Sequence, residues 1–217
     1  ARINEHRTFE MDGNAAFETV GRHFDTCDEP HGDPGFVNSL LLAQKVRSEI
    51  SVGVAGDGAD ELFSGYNKHS AELRARNLGI KEQVVSALKP LWFLLPGSRN
   101  SALGNRVLQL QKFSDGVSLG AKDRYWNWAS FMPENQVEKL MQIGSVDSGQ
   151  IAQRKKALTS ELGITKDLDE VLYTDLHQVL RNDMLTKVDL MSMANSLEVR
   201  VPFLDHKLVE FLFETPP

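Results

Sequence analysis

The sequence predicts an α/β chain in which part of a parallel-sheet core is followed by a predominantly helical region. Three observations carry this. Ile50 to Ala55 is rich in β-branched residues and ends on Gly56, as a buried parallel strand opening into a glycine loop does. After Tyr66 the apolar residues recur at helical spacings. The composition, 41% hydrophobic and 25% charged over 217 residues, is that of a soluble globular chain long enough for a sizeable core. The organisation expected is 1–66 as a partial α/β core with a glycine-rich acidic loop, and 67–217 as its mainly helical continuation.

In order, Arg7 to Asp12 reads as a short strand, and Phe17, Val20 and Phe24 mark a helix from Ala15. The turn formers between Glu29 and Gly35 make a loop, and Leu40, Leu41, Ala43 and Val46 give Val37 to Ser48 a helical face that feeds the strand. Beyond Tyr66, helical spacing covers 71–95, 102–113, 134–143 and 151–162. A long stripe then runs from Leu168 to Leu197, with Thr186 and Asn195 as candidate interruptions. Pro202 ends it, and Asp205 is placed to cap a last helix.

Several functions are excluded. With 24 basic against 30 acidic residues the net charge is −6, which offers no footprint for nucleic acid. A single cysteine, Cys27, permits no internal disulfide, and no Cys/His group has zinc spacing, so a cytoplasmic location is the default. The apolar run Val84 to Leu95 is broken by Lys89 and Pro90, too short to span a bilayer, and is expected as a buried, bent helix. Residues 1–14 lack a signal-like apolar stretch, and the start at Ala1 suggests a chain cut from a longer one.

The most informative segment is Val52 to Tyr66. Gly56 and Gly58 permit a tight turn at the strand end, superficially a dinucleotide fingerprint, but its third glycine is missing. Asp57, Asp60 and Glu61 would repel bare phosphate; with magnesium, which binds one or two carboxylates together with phosphate oxygens, the same acids suit a metal-bound nucleotide. From spacing alone, Asp57 or Asp60 as a helix cap is equally well supported.

This loop resembles the S-G-D-G-G-D-E-L-F-G-G-Y signature of glutamine-hydrolysing asparagine synthetases. Asp183 to Ala194 with Ser196 to Asp205 is similar to a second block of that family, D-x-L-x-K-V-D-R-x-S-M-A…E-V-R-V-P-F-L-D, and Asp28-Glu29-Pro30…Asp33-Pro34 to a weaker third. The resemblance implies a parallel-sheet nucleotide-binding domain of the ATP-pyrophosphatase type that uses ATP and Mg2+ to activate aspartate as an acyl-adenylate, which ammonia then converts to asparagine. Carried onto this sequence, Asp60 becomes the metal ligand and Asp57 the catalytic acceptor of the amine proton. Ala55, Gly56, Gly58 and Lys187 become nucleotide contacts, and Arg200 a catalytic fork for carboxylate or phosphate. The alternative for Lys187, and the one its spacing favours, is an ion pair with Asp183; for Arg200, beside a Val-Pro bend, the functional role is favoured over an ion pair with Glu198 or Asp205.

The family's S-G-G-x-D-S loop and glutaminase domain do not occur in these residues, so residues 1–217 alone are expected to be inactive. The expected partners are aspartate, ATP and that glutaminase domain, with homodimer formation left open and neither nucleic acid nor membrane expected. Ala55, Ala59 and Ser64 depart from the loop signature and Leu190 from the second block; Ala59 is expected to strain a position needing positive φ. A β-lactam-synthetase-like relative and a non-catalytic helical interaction module are the alternatives. The scattered histidines, Arg154-Lys155-Lys156, the three tryptophans and the Met184, Met191 and Met193 group read as ordinary surface or packing residues.

Overall fold

A computed structural model describes residues 5–28, 31–130, 132, 134–141, 148–160 and 168–215. The fold is mixed α/β, and the chain forms two compact units, Ala1–Phe63 with Asp175–Pro217, and Ser64–Thr174. The last 43 residues therefore group with the strand-bearing segment, whereas a single break near residue 66 would leave them with the helices.

In the first unit, residues 5–12 form no strand: Arg7 pairs with Glu5 and Glu49, and the chain then enters α1 (Gly13–Thr26). Asp12 caps that helix, its Oδ1 accepting from Ala15 N at 2.7 Å, so these polar residues serve a helix start rather than a ladder. Helix α2 (Phe36–Arg47) leads to β1 (Val52–Val54) and the short α3 (Ala59–Phe63). The chain returns through a π-helical segment (Leu176–Met184), α12 (Leu185–Met193), β2 (Glu198–Arg200), a 3-10 turn (Pro202–Leu204) and α13 (His206–Glu214). Asp205 caps α13 as the sequence predicts, accepting from Lys207 N at 2.9 Å.

Met191, fully buried, packs with Phe36 and Leu40 where α12 crosses α2, and Leu190 lies against the same cluster, which gives the leucine in place of the family's arginine an apolar role. His23 is buried and stacks on Phe36 with ring centroids 3.9 Å apart; burial, and then the charge of His31, hold its imidazole below the ordinary histidine range. The predicted interruption at Thr186 is a change of helical register: its hydroxyl donates to Arg181 O at 3.0 Å. The strand is parallel but not buried, since Val52 is 43% and Val54 74% exposed. Parallel strands are buried only when helices cover both faces, and among the described residues these valines are only partly covered.

The second unit holds α4 (Asn67–Arg76), α5 (Ile80–Ala87), α6 (Lys89–Leu94), α7 (Ala102–Val117), α8 (Ala121–Ala129), α9 (Glu134–Met141), α10 (Ser148–Ser160) and most of α11 (Asp169–Asp175). The predicted helices over 134–143 and 151–162 form here, their last residues lying outside the described ones. The predicted bend falls at Leu88, between α5 and α6, but neither helix buries a residue; the segment is an exposed corner tied down by Trp92, whose Nε1 donates to Val85 O at 2.9 Å. Buried Glu72 accepts from Arg76 Nε at 2.7 Å and Arg124 Nη1 at 3.3 Å, both on Oε1, so two cations pair a charge otherwise costly to bury while its Oε2 makes no hydrogen bond among the described residues.

Candidate active site

The two main sequence blocks meet through the sheet. Strands β1 and β2 are parallel with Val52 opposite Glu198 and Val54 opposite Arg200, and the ladder runs one bond further, Ala55 N donating to Arg200 O at 2.9 Å. Both strands end at the same level. The loop Ala55 to Asp60 and the stretch Val201 to Asp205 therefore lie side by side at the C-terminal edge, where open parallel sheets bind ligands. Gly58, at φ +88°, has no room for a β-carbon, which would stand 2.4 Å from Leu204 Cδ2. Phe63 meets Phe203 edge to face at 6.0 Å, a second contact between the blocks.

Within this loop the glycines divide. Gly58 lacks a side chain because Leu204 occupies the space, so packing rather than ligand approach explains it. Gly56 is exposed with no atom within 4 Å of its β-carbon position, the open side of the loop. Ala59 N donates to Gly56 O at 3.2 Å and Leu62 N to Gly58 O at 3.1 Å, which turns the loop directly into α3. The expected strain at Ala59 is absent: the left-handed residues are Gly58, Ser64 (φ 60°) and Ser196 (φ 55°).

Asp57 is half-buried and Asp60 exposed, and among the described residues neither carboxylate makes a hydrogen bond or ion pair. Neither therefore shows the helix-cap bond that the spacing allowed. Glu61, one residue on, is fully buried and belongs to the fold. Arg200 is exposed and pairs with Glu198, Nε to Oε1 2.8 Å, a contact between same-face neighbours on one strand that adds little stability.

Lys187 is placed differently from the expectation. Its ammonium pairs with Asp33 and not with Asp183, and lies 3.5 Å from Met184 Sδ with 10% of the side chain exposed. Asp33 closes the turn before α2, its Oδ1 accepting from Gly35 N at 2.8 Å. Burial pushes the Asp33 carboxyl up, but hydrogen bonds from Lys187 and Gly35 and the charges of Lys187 and His31 outweigh it and hold the group below the ordinary aspartate value. His31 Nε2 stands 3.2 Å from Asp183 Oδ1, without hydrogen-bond alignment. His31, Asp33 and Asp183 thus gather within 4.8 Å of one another, with the Lys187 ammonium supplying positive charge to the group.

The structure thus brings Ala55, Gly56, Asp57, Gly58, Asp60 and Arg200 to the strand ends and gives Lys187 to the 33–35 turn. Asp33 was not among the residues singled out for the site. Its signal was available in the requirement that a lysine on a buried helix face have a carboxylate partner. Glu29 and Pro30, which belong to the third sequence block, lie outside the described residues.

The family model described as Asparagine synthase matches residues 3–217. The chain is 29% identical over 189 residues to asparagine synthetase [glutamine-hydrolyzing] 1 of Bacillus subtilis, covering 87% of this chain and 28% of that protein. It is 42% identical over 185 residues to asparagine synthetase [glutamine-hydrolyzing] 3 of the same organism, covering 83% and 23%. A putative asparagine synthetase [glutamine-hydrolyzing] of Mycobacterium tuberculosis is 30% identical over 183 residues, covering 82% and 26%. No solved structure matches the chain. The chain thus spans only about a quarter of the length of these relatives, yet the family match runs through both strand-end blocks and the turn that carries Asp33. The chain belongs to the asparagine synthase family.

Proposed function

We propose that this chain is part of the synthetase domain of a cytoplasmic, ATP-dependent amidotransferase that makes asparagine from aspartate and glutamine-derived ammonia. The observation that carries the reading is the side-by-side placement of the acidic glycine loop and the Val201 to Asp205 stretch at the ends of β1 and β2. The names of the relatives supply the substrate. Among the described residues no helix is long and apolar enough to cross a membrane.

In this reading a side-chain carboxylate oxygen of aspartate attacks the α-phosphorus of ATP and displaces pyrophosphate. Ammonia then adds to the acyl carbon, the nitrogen loses a proton, and AMP departs with the carbon–oxygen bond. Asp57 and Asp60, unpartnered oxygen donors beside the open face of Gly56, fit a hard cation, and Asp60, the more exposed, would hold Mg2+. When bound, that ion supplies charge neutralisation at the phosphate oxygens. Asp57 takes the proton from the attacking nitrogen. Arg200, freed from its exposed partner Glu198, offers its fork to the substrate carboxylate or phosphate. Lys187, paired with Asp33, holds the turn before α2 in place.

The test is aspartate-dependent exchange of labelled pyrophosphate into ATP by the complete protein. Exchange that disappears in Asp60→Ala while glutamine hydrolysis persists supports the reading. Absence of exchange in the unaltered protein supports the non-catalytic module, and exchange driven only by another carboxylate supports a different relative.

A further inference from the structure

The helical unit contains a cavity of about 740 Å³ bounded by α4, α5, α7 and α8, and it shares no residue with the strand-end loop. Lys68, Arg74, Lys81, Arg106 and Lys112 line it, against the single carboxylate of Glu82. A chain with a net charge of −6 thus concentrates a surplus of four positive charges on one concave surface.

Three cations elsewhere in this unit are matched. Arg76 and Arg124 share Glu72, and Lys89 pairs with Asp115 at 2.7 Å. At the cavity, Lys68 lies over the rings of Tyr66 and Tyr125 at 5.0 and 5.5 Å, while Arg74, Lys81, Arg106 and Lys112 make no ion pair among the described residues. Partial burial, and then the charge of Arg99, hold the Lys112 ammonium below its ordinary range.

The remaining wall is apolar. Val85, Leu110, Phe113 and Trp128 contribute to it, with the Phe113 and Trp128 rings 12° from parallel and 6.2 Å apart. Trp128 is fixed there from two sides. Its Nε1 donates to Lys112 O at 3.0 Å, and Gly116 leaves room for the indole, since a β-carbon would stand 2.2 Å from Nε1. A cavity of this size suits an organic ligand and exceeds the needs of inorganic phosphate.

We propose that this cavity binds a small organic polyphosphate, with two or three phosphates on the Arg74, Lys81, Arg106 and Lys112 side and an apolar or aromatic body against Val85, Leu110, Phe113 and Trp128. Clustered phosphate oxygens match the cations Arg74, Lys81, Arg106 and Lys112, and arginine forks engage phosphate through paired hydrogen bonds. The apolar wall gives a nucleoside or similar body an advantage over charge alone.

The test is isothermal titration of the complete protein with GTP as a polyphosphate carrying an aromatic body, inorganic tripolyphosphate as charge without a body, and citrate as a polycarboxylate. GTP is expected to bind more tightly than tripolyphosphate, and tripolyphosphate more tightly than citrate. The double variant Arg74→Ala/Arg106→Ala, at two exposed positions, is expected to lose about tenfold or more in GTP affinity. Asp60→Ala is expected to leave that affinity unchanged, which assigns the binding to this cavity whether or not the strand-end loop binds ATP. Lys81→Glu, also exposed, reproduces the loss if the double variant melts early. Absence of GTP binding, binding unchanged by these variants, or equal affinity for all three probes overturns the proposal.

Discussion

The β-carbon position of Gly58 lies 2.4 Å from Leu204 Cδ2, so the glycine loop and the Val201 to Asp205 stretch interlock at a point where only glycine fits. Gly58→Ala is therefore expected to destabilise the complete protein by about 1–3 kcal/mol from overpacking and about 1 kcal/mol more from the left-handed backbone. Leu204→Ala in the same chain should return the packing part and leave the backbone part. Thermal unfolding of the two single variants and the double variant reads this coupling, and strict additivity would mean that the two residues do not touch.

Ser64 and Ala59 make an opposed pair. Both stand where the family signature has glycine, but Ser64 sits at φ 60° while Ala59 begins α3 with an ordinary backbone. Ser64→Gly should stabilise by up to about 1 kcal/mol through relief of a left-handed non-glycine residue, and Ala59→Gly should cost about 0.5–1 kcal/mol as a glycine in a helix. Unfolding midpoints check the signs. Destabilisation by Ser64→Gly would show that the serine side chain contributes more than its backbone costs.

Asp33 makes the first unit sensitive to acid. Its folded value lies below the ordinary 3.8, so its contribution is fully present above 3.8 and is lost as pH falls through the lower folded value. Lys187→Met removes the partner and leaves the burial that pushes the carboxyl up. Its titration, followed by carbon NMR of the Asp33 side chain, should move upward. The stability lost near neutral pH should fall toward the lower end of about 3–5 kcal/mol, because Asp33 retains 25% exposure. An unmoved titration would separate Asp33 from Lys187 in solution.

The parts of this molecule legible in the sequence are those whose signal is local. The strand opening into Gly56, the cap at Asp205, the bend before Pro90 and the helical second unit each follow from residues within a few positions of one another. What escaped was long-range. Strand β2 is three residues long, too short to show an alternation, and exists because β1 pairs with it from 146 positions away in the chain. Lys187 has Asp183 at helical spacing, but its partner is 154 residues away. The need for Gly58 was legible, but its cause, the side chain of Leu204, was not.

Asp57 and Asp60 share one loop and differ in exposure, and on the proposed reading they act at different steps. Asp60 is exposed and would hold the metal, so its removal should abolish adenylation. Asp57 is half-buried, three positions earlier, and would receive the proton of the attacking nitrogen, which is needed only after the adenylate has formed. Asp57→Asn keeps the shape and removes the basicity. In the complete protein it is expected to slow amide formation by about 100-fold or more while leaving ATP–pyrophosphate exchange within a few-fold of normal, the reverse of the partition for Asp60→Ala. Single-turnover measurement of AMP and asparagine formation separates the steps. Equal loss of both would place Asp57 in nucleotide binding or in the fold of the loop, and normal amide formation would leave it a turn residue whose carboxylate takes no part.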